Sequence, residues 1–344
     1  MAEKTQHDDS LQPDLSRPKT IQEYLRLFFS GFAMGASDIV PGVSGGTMAF
    51  ILGIYETLLN GIKSFNLSAL QMALSFFTSK DANKKPSVMD IVDHLHLRFL
   101  IPLAIGLLTA VVLLSSILED LITNQPTYIF AFFAGLIIAS VLAIGYKVKW
   151  GTISIITLII GTIIAYFVTD PALGNLGDNF GHSPLVLFIS GAIAICAMIL
   201  PGISGSFILL VLGQYEFILS AVDDRDIVSL FFVAAGAGIG ILAFSRVLSW
   251  LLNRYEHPTI ALLVGFMIGS MRLIYYRATH MIEEVEEIGD VVTPLTLDTN
   301  QILIALGIAI IGFLFVSVLD HMQSRANPLF TMFGKNDPSP ATGE

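Results

Sequence analysis

Pro41-Gly42-Val43-Ser44-Gly45-Gly46, followed by Gly53-Ile54-Tyr55-Glu56, recurs 160 residues later as Pro201-Gly202-Ile203-Ser204-Gly205-Ser206, followed by Gly213-Gln214-Tyr215-Glu216. Apolar sequence flanks both copies. Proline removes a backbone N–H and pushes the residue before it out of the helical region, so Pro41 and Pro201 each interrupt a hydrophobic helix. The glycine and serine that follow permit a tight turn, and a second half-helix is expected to begin near Gly46 and near Ser206. A break of this kind, once in each half of a membrane chain, points to a binding site near the bilayer midplane.

The rest of the sequence supports a membrane setting. The chain of 344 residues is 54% hydrophobic and only 13% charged, with a mean hydropathy of +0.74. That composition excludes an ordinary soluble domain. No pattern of short alternating strands appears, so the expected fold is all-α. The formal charge of −10 resides largely in polar segments such as Glu283, Glu284, Glu286, Glu287 and Asp290, and therefore describes loops more than a site. A single cysteine, Cys196, lies in an apolar run and has no intrachain disulfide partner. Nothing in this composition suggests a nucleic-acid partner.

Ten apolar helical segments are predicted, at about 21–40, 47–62, 98–118, 127–145, 151–168, 185–200, 206–220, 228–250, 258–275 and 301–319. The first five and last five are similar sets. Phe133 to Ser140 resembles Leu263 to Ser270, and Ser115 to Leu121 resembles Ser245 to Leu251, at an offset of 130 residues. The drop from 160 to 130 places an insertion of about 30 residues at 63–97, read as helices on the membrane surface. The organisation is a cytoplasmic tail (1–20) without a signal peptide, a first membrane repeat (21–168), an outer linker (169–184), a second repeat (185–319) and a cytoplasmic tail (320–344).

Parity sets the symmetry. The two half-helices around each break are too long together for one crossing, so they fold back as a re-entrant hairpin or cross twice. Either way each repeat makes an odd number of crossings, and the second starts on the opposite side from the first. The re-entrant form is preferred, because an irregular backbone at membrane depth needs protein or water partners. The expected fold is thus two inverted-topology repeats, each a re-entrant broken-helix hairpin plus three transmembrane helices. With both termini inside, 15 of the 18 Lys and Arg residues fall on the inner side, leaving Arg225, Arg272 and Arg277 outside.

The chemistry of the breaks follows from their ends. A half-helix starting at membrane depth leaves its first N–H groups unpaired and its positive dipole end pointing inward. Together with small residues and hydroxyls, Ser44, Gly45, Gly46 and Thr47 in the first copy and Ser204, Gly205 and Ser206 in the second form a candidate phosphate site. Pro41, Gly42, Pro201 and Gly202 are the helix-breaking residues. The competing explanation is that glycine and serine serve close packing and self-capping. Packing is the preferred reading for Gly31-x-x-x-Gly35 and Gly265-x-x-x-Gly269.

Asp38 lies three residues before Pro41 in an apolar run, where an unpaired carboxylate is costly, and its counterpart in the second repeat is Met198. It is a candidate for ion coupling, with backbone capping as the alternative. Glu56 and Glu216 recur beside tyrosines about 15 Å along the second half-helices, as ion-coupling candidates or interfacial anchors. Arg98, Arg246 and Arg272 sit at predicted span ends, as snorkelling cations or as partners for a carboxylate or a lipid phosphate.

Both motifs contain Gly-x-Ser-Gly, which raises hydrolysis as another reading. A serine nucleophile needs a base, and none of His7, His94, His96, His182, His257, His280 and His321 falls in the middle of a predicted span. An enzyme is not expected, and neither a metal site nor a cofactor is, leaving a proton or sodium as the candidate coupling ion.

The run Gly35 to Thr47, with Leu200 to Gly205, resembles the bacterial undecaprenyl-phosphate transporter family, the similarity extending over about Ile21 to Asp320. The resemblance implies a lipid flippase of the bacterial inner membrane. Such a protein returns the polyprenyl-phosphate carrier from the outer to the inner leaflet for peptidoglycan and other cell-envelope synthesis. It also implies inverted repeats with re-entrant helices. A secondary transporter of a small soluble anion is the alternative, since it would use the same helix ends.

Overall fold

The computed structural model describes residues 15–39, 44–78, 86–170, 181–285 and 289–324. Pro41 and Gly42, most of the predicted outer linker and the greater part of both tails lie outside the described residues. The first half comprises α1 (Ile21–Ile39), α2 (Gly45–Ile51), α3 (Tyr55–Lys63), α4 (Leu67–Thr78), α5 (Val88–His94), α6 (Leu97–Asn124), α7 (Pro126–Gly145) and α8 (Thr152–Val168). The second comprises α9 (Pro184–Ile199), α10 (Gly205–Val211), α11 (Tyr215–Asp223), α12 (Ile227–Arg254), α13 (Glu256–Thr279), a hairpin of β1 (His280–Val285) and β2 (Gly289–Pro294), and α14 (Thr299–Ser324).

Two compact units cut across these halves. One contains α1 to α5, most of α6, and α9 to α12; the other contains α7, α8, α13, the hairpin and α14. In the first unit α1 packs on α6 and α9 packs on α12 through the same backbone approach. A Cβ on Gly31 would overlap the Leu103 carbonyl and one on Gly106 the Phe28 carbonyl; Gly191 meets Val233 and Gly236 meets Phe188 in the same way. Every member of the second set lies 160 or 130 residues beyond its counterpart, the offsets read from sequence. In the second unit the Gly265 and Gly269 face lies against Leu158 and Thr162 of α8, so that glycine pair is a packing face.

Among the described residues, five helices are long and apolar enough to cross a membrane: α6 over Leu97–Leu114, α7, α12, α13, and α14 over Thr299–His321. The bent pair α10 and α11 would add a sixth if it counted as one span. With 17 residues, or about 25 Å, α8 falls short of the roughly 30 Å hydrocarbon core. In the insertion, α4 and α5 have 12 and 7 residues and are too short to cross. Ser87 and Asp90 form a capping box that starts α5.

Two features depart from the sequence reading. The acidic segment after α13 is not simply a loop: Glu283 pairs with Val291 and Glu284 with Asp290 in the antiparallel hairpin, while Glu286 and Glu287 lie outside the described residues. The predicted half-helices 47–62 and 206–220 are not continuous either. Each stops after seven helical residues and restarts as a nine-residue helix, and α10 and α11 meet at 108°.

The cause is a glycine-ended helix stop used twice. Gly53 and Gly213 adopt φ of 64° and 63°. Gly53 N–H donates to the Phe50 carbonyl and Ile54 N–H to that of Ala49, and Gly213 and Gln214 repeat the pattern on Leu210 and Leu209. This Schellman arrangement satisfies carbonyls that a helix end leaves orphaned, and its left-handed residue is unstrained only as glycine. Gly213→Ala is therefore expected to cost about 1–2 kcal/mol, read as a lower Tm of the purified protein. An unchanged Tm would show that the bend does not depend on the left-handed residue.

Candidate functional site

The two motifs meet within the first unit. Ser44 precedes α2 in extended conformation and acts as its N-cap, its Oγ accepting from Gly46 N–H at 3.1 Å. The same hydroxyl donates to the Met198 carbonyl at 2.8 Å. Tyr55, buried at the start of α3, donates its hydroxyl to the Ile199 carbonyl at 3.0 Å. Thr47 Oγ1 accepts from Gly202 N–H at 3.0 Å. Met198 and Ile199 end α9, where carbonyls have no partner inside the helix, so the first motif caps the helix that the second motif breaks.

Their approach is close because Gly46 has no side chain. A Cβ there would stand 2.5 Å from the Ile199 carbonyl oxygen. Ser44 and Thr47 are 1% and 2% exposed, so these hydroxyls sit where an unpaired polar group would be expensive.

The amides expected to stand open at the first break are bonded within the protein. Gly45 N–H donates to Asp38 Oδ1 at 2.6 Å, and Gly46 N–H to Ser44. The Asp38 carboxylate thus occupies the positive end of α2, the position a bound anion would take. At the second break the arrangement differs. Ser204 makes no side-chain cap; its hydroxyl pairs with that of Ser206 at 2.8 Å. Among the described residues, no acceptor bonds the Gly205 or Ser206 amides, and Met198 stands where the first repeat has its carboxylate.

The remaining candidates occupy separate places. Glu56 begins α3 beyond the bend rather than midway along a straight helix, and Glu216 begins α11 likewise, both exposed. The distance of about 15 Å expected along one helix does not apply, because the chain turns at Gly53 and Gly213. Glu56 and Asn60 line a polar cavity of about 220 Å³ with Ser249, Asn253 and Glu256, and the Lys63 ammonium donates to Ser249 Oγ at 3.3 Å.

Arg98 pairs with Asp93 at 2.9 Å, which ties the start of α6 to the insertion. Arg272 pairs with Asp170 at 2.8 Å and lies 4.4 Å over the Tyr166 ring. Arg246 donates to the carbonyls of Leu242 and Phe65. Among the described residues, no group of three or more His, Cys, Asp and Glu side chains is placed to hold a metal ion.

Other contributors are not singled out by the sequence. Tyr55 reads there, with Tyr215, only as the neighbour of a glutamate that is either an interfacial anchor or part of a pathway, but its hydroxyl is buried at the junction. Gln214 is fully buried; its amide donates to Gly181 and Leu212, which leaves Oε1 to accept from His182 Nδ1 at 3.0 Å. His182 also stacks on Phe217 at 4.1 Å, fixing the second bend. Lys147 and Asp320 form an ion pair at 3.1 Å in the second unit, with Asp320 nearly buried. The recurrence of the tyrosine in both motifs is its signal, whereas the others become visible only in three dimensions.

Apolar helices of spanning length, with paired helix breaks closed on one another by hydroxyl groups, define a multi-pass helical membrane protein. The chain belongs to the undecaprenyl phosphate translocase-like family, whose profile matches residues 34–292. A polyprenyl-phosphate transporter of Vibrio cholerae is 41% identical over 253 residues, 73% of this chain and 78% of that relative. A polyprenyl-phosphate transporter of Staphylococcus aureus is 34% identical over 265 residues, 71% of this chain and 84% of that relative. No solved structure matches. The family is one of transporters, and the protein is not an enzyme.

Proposed function

We propose that the protein is a flippase that carries undecaprenyl phosphate from the outer to the inner leaflet of the bacterial cytoplasmic membrane, recycling the lipid carrier for cell-envelope synthesis. One observation carries the reading: at the start of α10, amides with no protein acceptor among the described residues lie beside the Ser204 and Ser206 hydroxyls, while the matching amides of α2 are held by Asp38 and Ser44. A phosphate headgroup fits the unoccupied donors, with Gly205 between the two serines. Its isoprenoid tail stays in lipid, so the charge never crosses bare hydrocarbon. The names of both relatives support a polyprenyl phosphate as the substrate. Ser44, Gly45, Gly46 and Thr47 then shape the site from the first repeat by holding the second break in place.

The two repeats are inverted in this reading. Helices of seven residues reach about 10 Å and cannot cross, which favours re-entrant hairpins; α6 and α7 then span in the first repeat with the shorter α8 as its third crossing, and α12, α13 and α14 span in the second. The sides assigned from charge agree with the ion pairs. Lys147 and Asp320, both placed inside, bond each other, as do Arg272 and Asp170, both placed outside. Asp38 is the group through which a proton or sodium ion would be coupled, by loosening its hold on Gly45.

The test is flipping of polyprenyl phosphate in reconstituted vesicles. Ser204→Ala combined with Ser206→Ala is expected to lower the rate about tenfold or more, the scale of hydrogen bonds to a charged group. Native mass spectrometry should show less co-purified lipid phosphate. Unchanged flipping and unchanged lipid retention would sink the site assignment.

A further inference from the structure

Helix ends from the two halves of the chain face each other across the polar cavity. On α3, Glu56, Asn60 and Lys63 follow at helical spacing and so share one face. Ser249 and Asn253 lie one turn apart near the end of α12, and Glu256 begins α13 just past the break at Tyr255. All belong to the first unit. Leu59 and Leu252 supply the apolar lining of the cavity, and the rest is two carboxylates, two carboxamides and one hydroxyl.

The groups whose orientation is fixed by hydrogen bonds present oxygen. Asn253 Nδ2 donates to the Ser249 carbonyl at 2.7 Å, which leaves the amide oxygen as the acceptor of that side chain. Ser249 is 4% exposed and offers its Oγ lone pairs to the Lys63 ammonium at 3.3 Å. A cation therefore already stands at the cavity, tethered to α3. It is exchangeable, because Lys63 is exposed and its four-carbon stem is flexible.

Charge decides what replaces it. With Lys63 swung out, the Glu56 and Glu256 carboxylates leave two negative charges on one cavity, and a divalent cation balances both. Among the described residues no third carboxylate or imidazole joins them. One or two carboxylates are the number with which a divalent cation that keeps several of its own waters is held. The cavity of about 220 Å³ accommodates such a hydrated ion, since each water takes about 30 Å³.

We propose that this cavity binds a divalent cation, held by the Glu56 and Glu256 carboxylates with the oxygens of Asn60, Ser249 and Asn253 around it, and that the Lys63 ammonium competes for the place. The bound ion fastens α3, the helix that follows the first bend, to α12 and the start of α13. It stabilises this arrangement of the first unit in proportion to its occupancy. Binding is independent of the transported headgroup.

The experiment is a melting curve of the full chain in nanodiscs of a zwitterionic lipid, freed of divalent ions with EDTA and titrated with magnesium chloride or calcium chloride. Potassium chloride at matched ionic strength controls for screening. The wild-type protein should melt about 3 °C higher at a tenfold excess of the ion over its Kd. Lys63→Met removes the competitor and should lower the Kd about tenfold, whereas Glu56→Gln and Glu256→Gln should each raise it about tenfold. All three side chains are exposed, and an unchanged Tm in EDTA shows that each variant is folded.

A Tm that rises equally in potassium chloride, or that still rises in Glu256→Gln by the wild-type amount, overturns the site. So does a Lys63→Met protein that binds both ions no more tightly than wild type, because Lys63 is then only a fastening between α3 and α12. A response to sodium chloride alone, lost in Glu256→Gln, overturns the divalent assignment.

Discussion

Gly46→Ala should abolish lipid-phosphate transport and destabilise the protein by about 3 kcal/mol, combining overpacking with the loss of junction hydrogen bonds. The added methyl would lie 2.5 Å from the Ile199 carbonyl oxygen and 3.1 Å from its carbon, backbone atoms that cannot swing aside. Relief requires the two breaks to separate. Separation stretches the bonds from Ser44 to Met198, from Tyr55 to Ile199 and from Gly202 to Thr47 together, because all three span the same junction. Each is worth about 1 kcal/mol when buried, and leaving its partner unpaired costs more. Gly238→Ala is the matched control, since a Cβ there meets nothing within 4 Å, and alanine raises helix propensity in α12. The checks are Tm of the purified proteins and flipping in vesicles. If Gly46→Ala matched Gly238→Ala in both, the junction would not be the centre of the mechanism.

Much of this junction is legible in the amino-acid sequence. Proline and glycine announce a break by their own chemistry, and its recurrence at a fixed offset announces a repeat. Gly31, Gly106, Gly191 and Gly236 fulfil that repeat contact by contact. The second bend is not legible in the same way, because Leu52-Gly53-Ile54 and Leu212-Gly213-Gln214 sit inside hydrophobic runs. Hydropathy reports burial and does not report direction. A glycine stop followed at once by further apolar helix leaves the pattern nearly continuous.

The hydrogen bonds across the junction are hidden for a different reason. Ser44 and Tyr55 bond to backbone carbonyls, so nothing in the side chains of Met198 and Ile199 marks them as partners. The asymmetry between the breaks is legible at one position only. Asp38 matched to Met198 across the repeat indicates that the two helix starts differ, and the hydrogen bonds show how: one is filled by a carboxylate and the other is not.

Asp38 gives the sharpest separation between a cap and a coupling group. Asp38→Ala leaves the Gly45 N–H without its acceptor at a buried helix start, with an expected loss of about 1–3 kcal/mol in stability and a severe loss of transport. Asp38→Asn retains an oxygen acceptor and removes the charge. The capping bond survives, so stability should stay within about 1 kcal/mol of wild type, the small difference being the interaction of the charge with the helix dipole. Coupling behaves otherwise. If a proton or sodium ion acts by drawing the carboxylate away from Gly45, the carboxamide cannot respond to it, and transport by Asp38→Asn should lose its dependence on pH and sodium gradients. Met198→Asp offers the converse, because a carboxylate there would contest the α10 amides with the phosphate proposed to bind them and should weaken lipid binding without disturbing α2. Flipping rates measured across imposed proton and sodium gradients decide the matter. An Asp38→Asn protein that keeps the wild-type ion dependence would reduce Asp38 to a helix cap, and the coupling site would then have to be sought elsewhere, beginning with the polar cavity that contains Glu56 and Glu256.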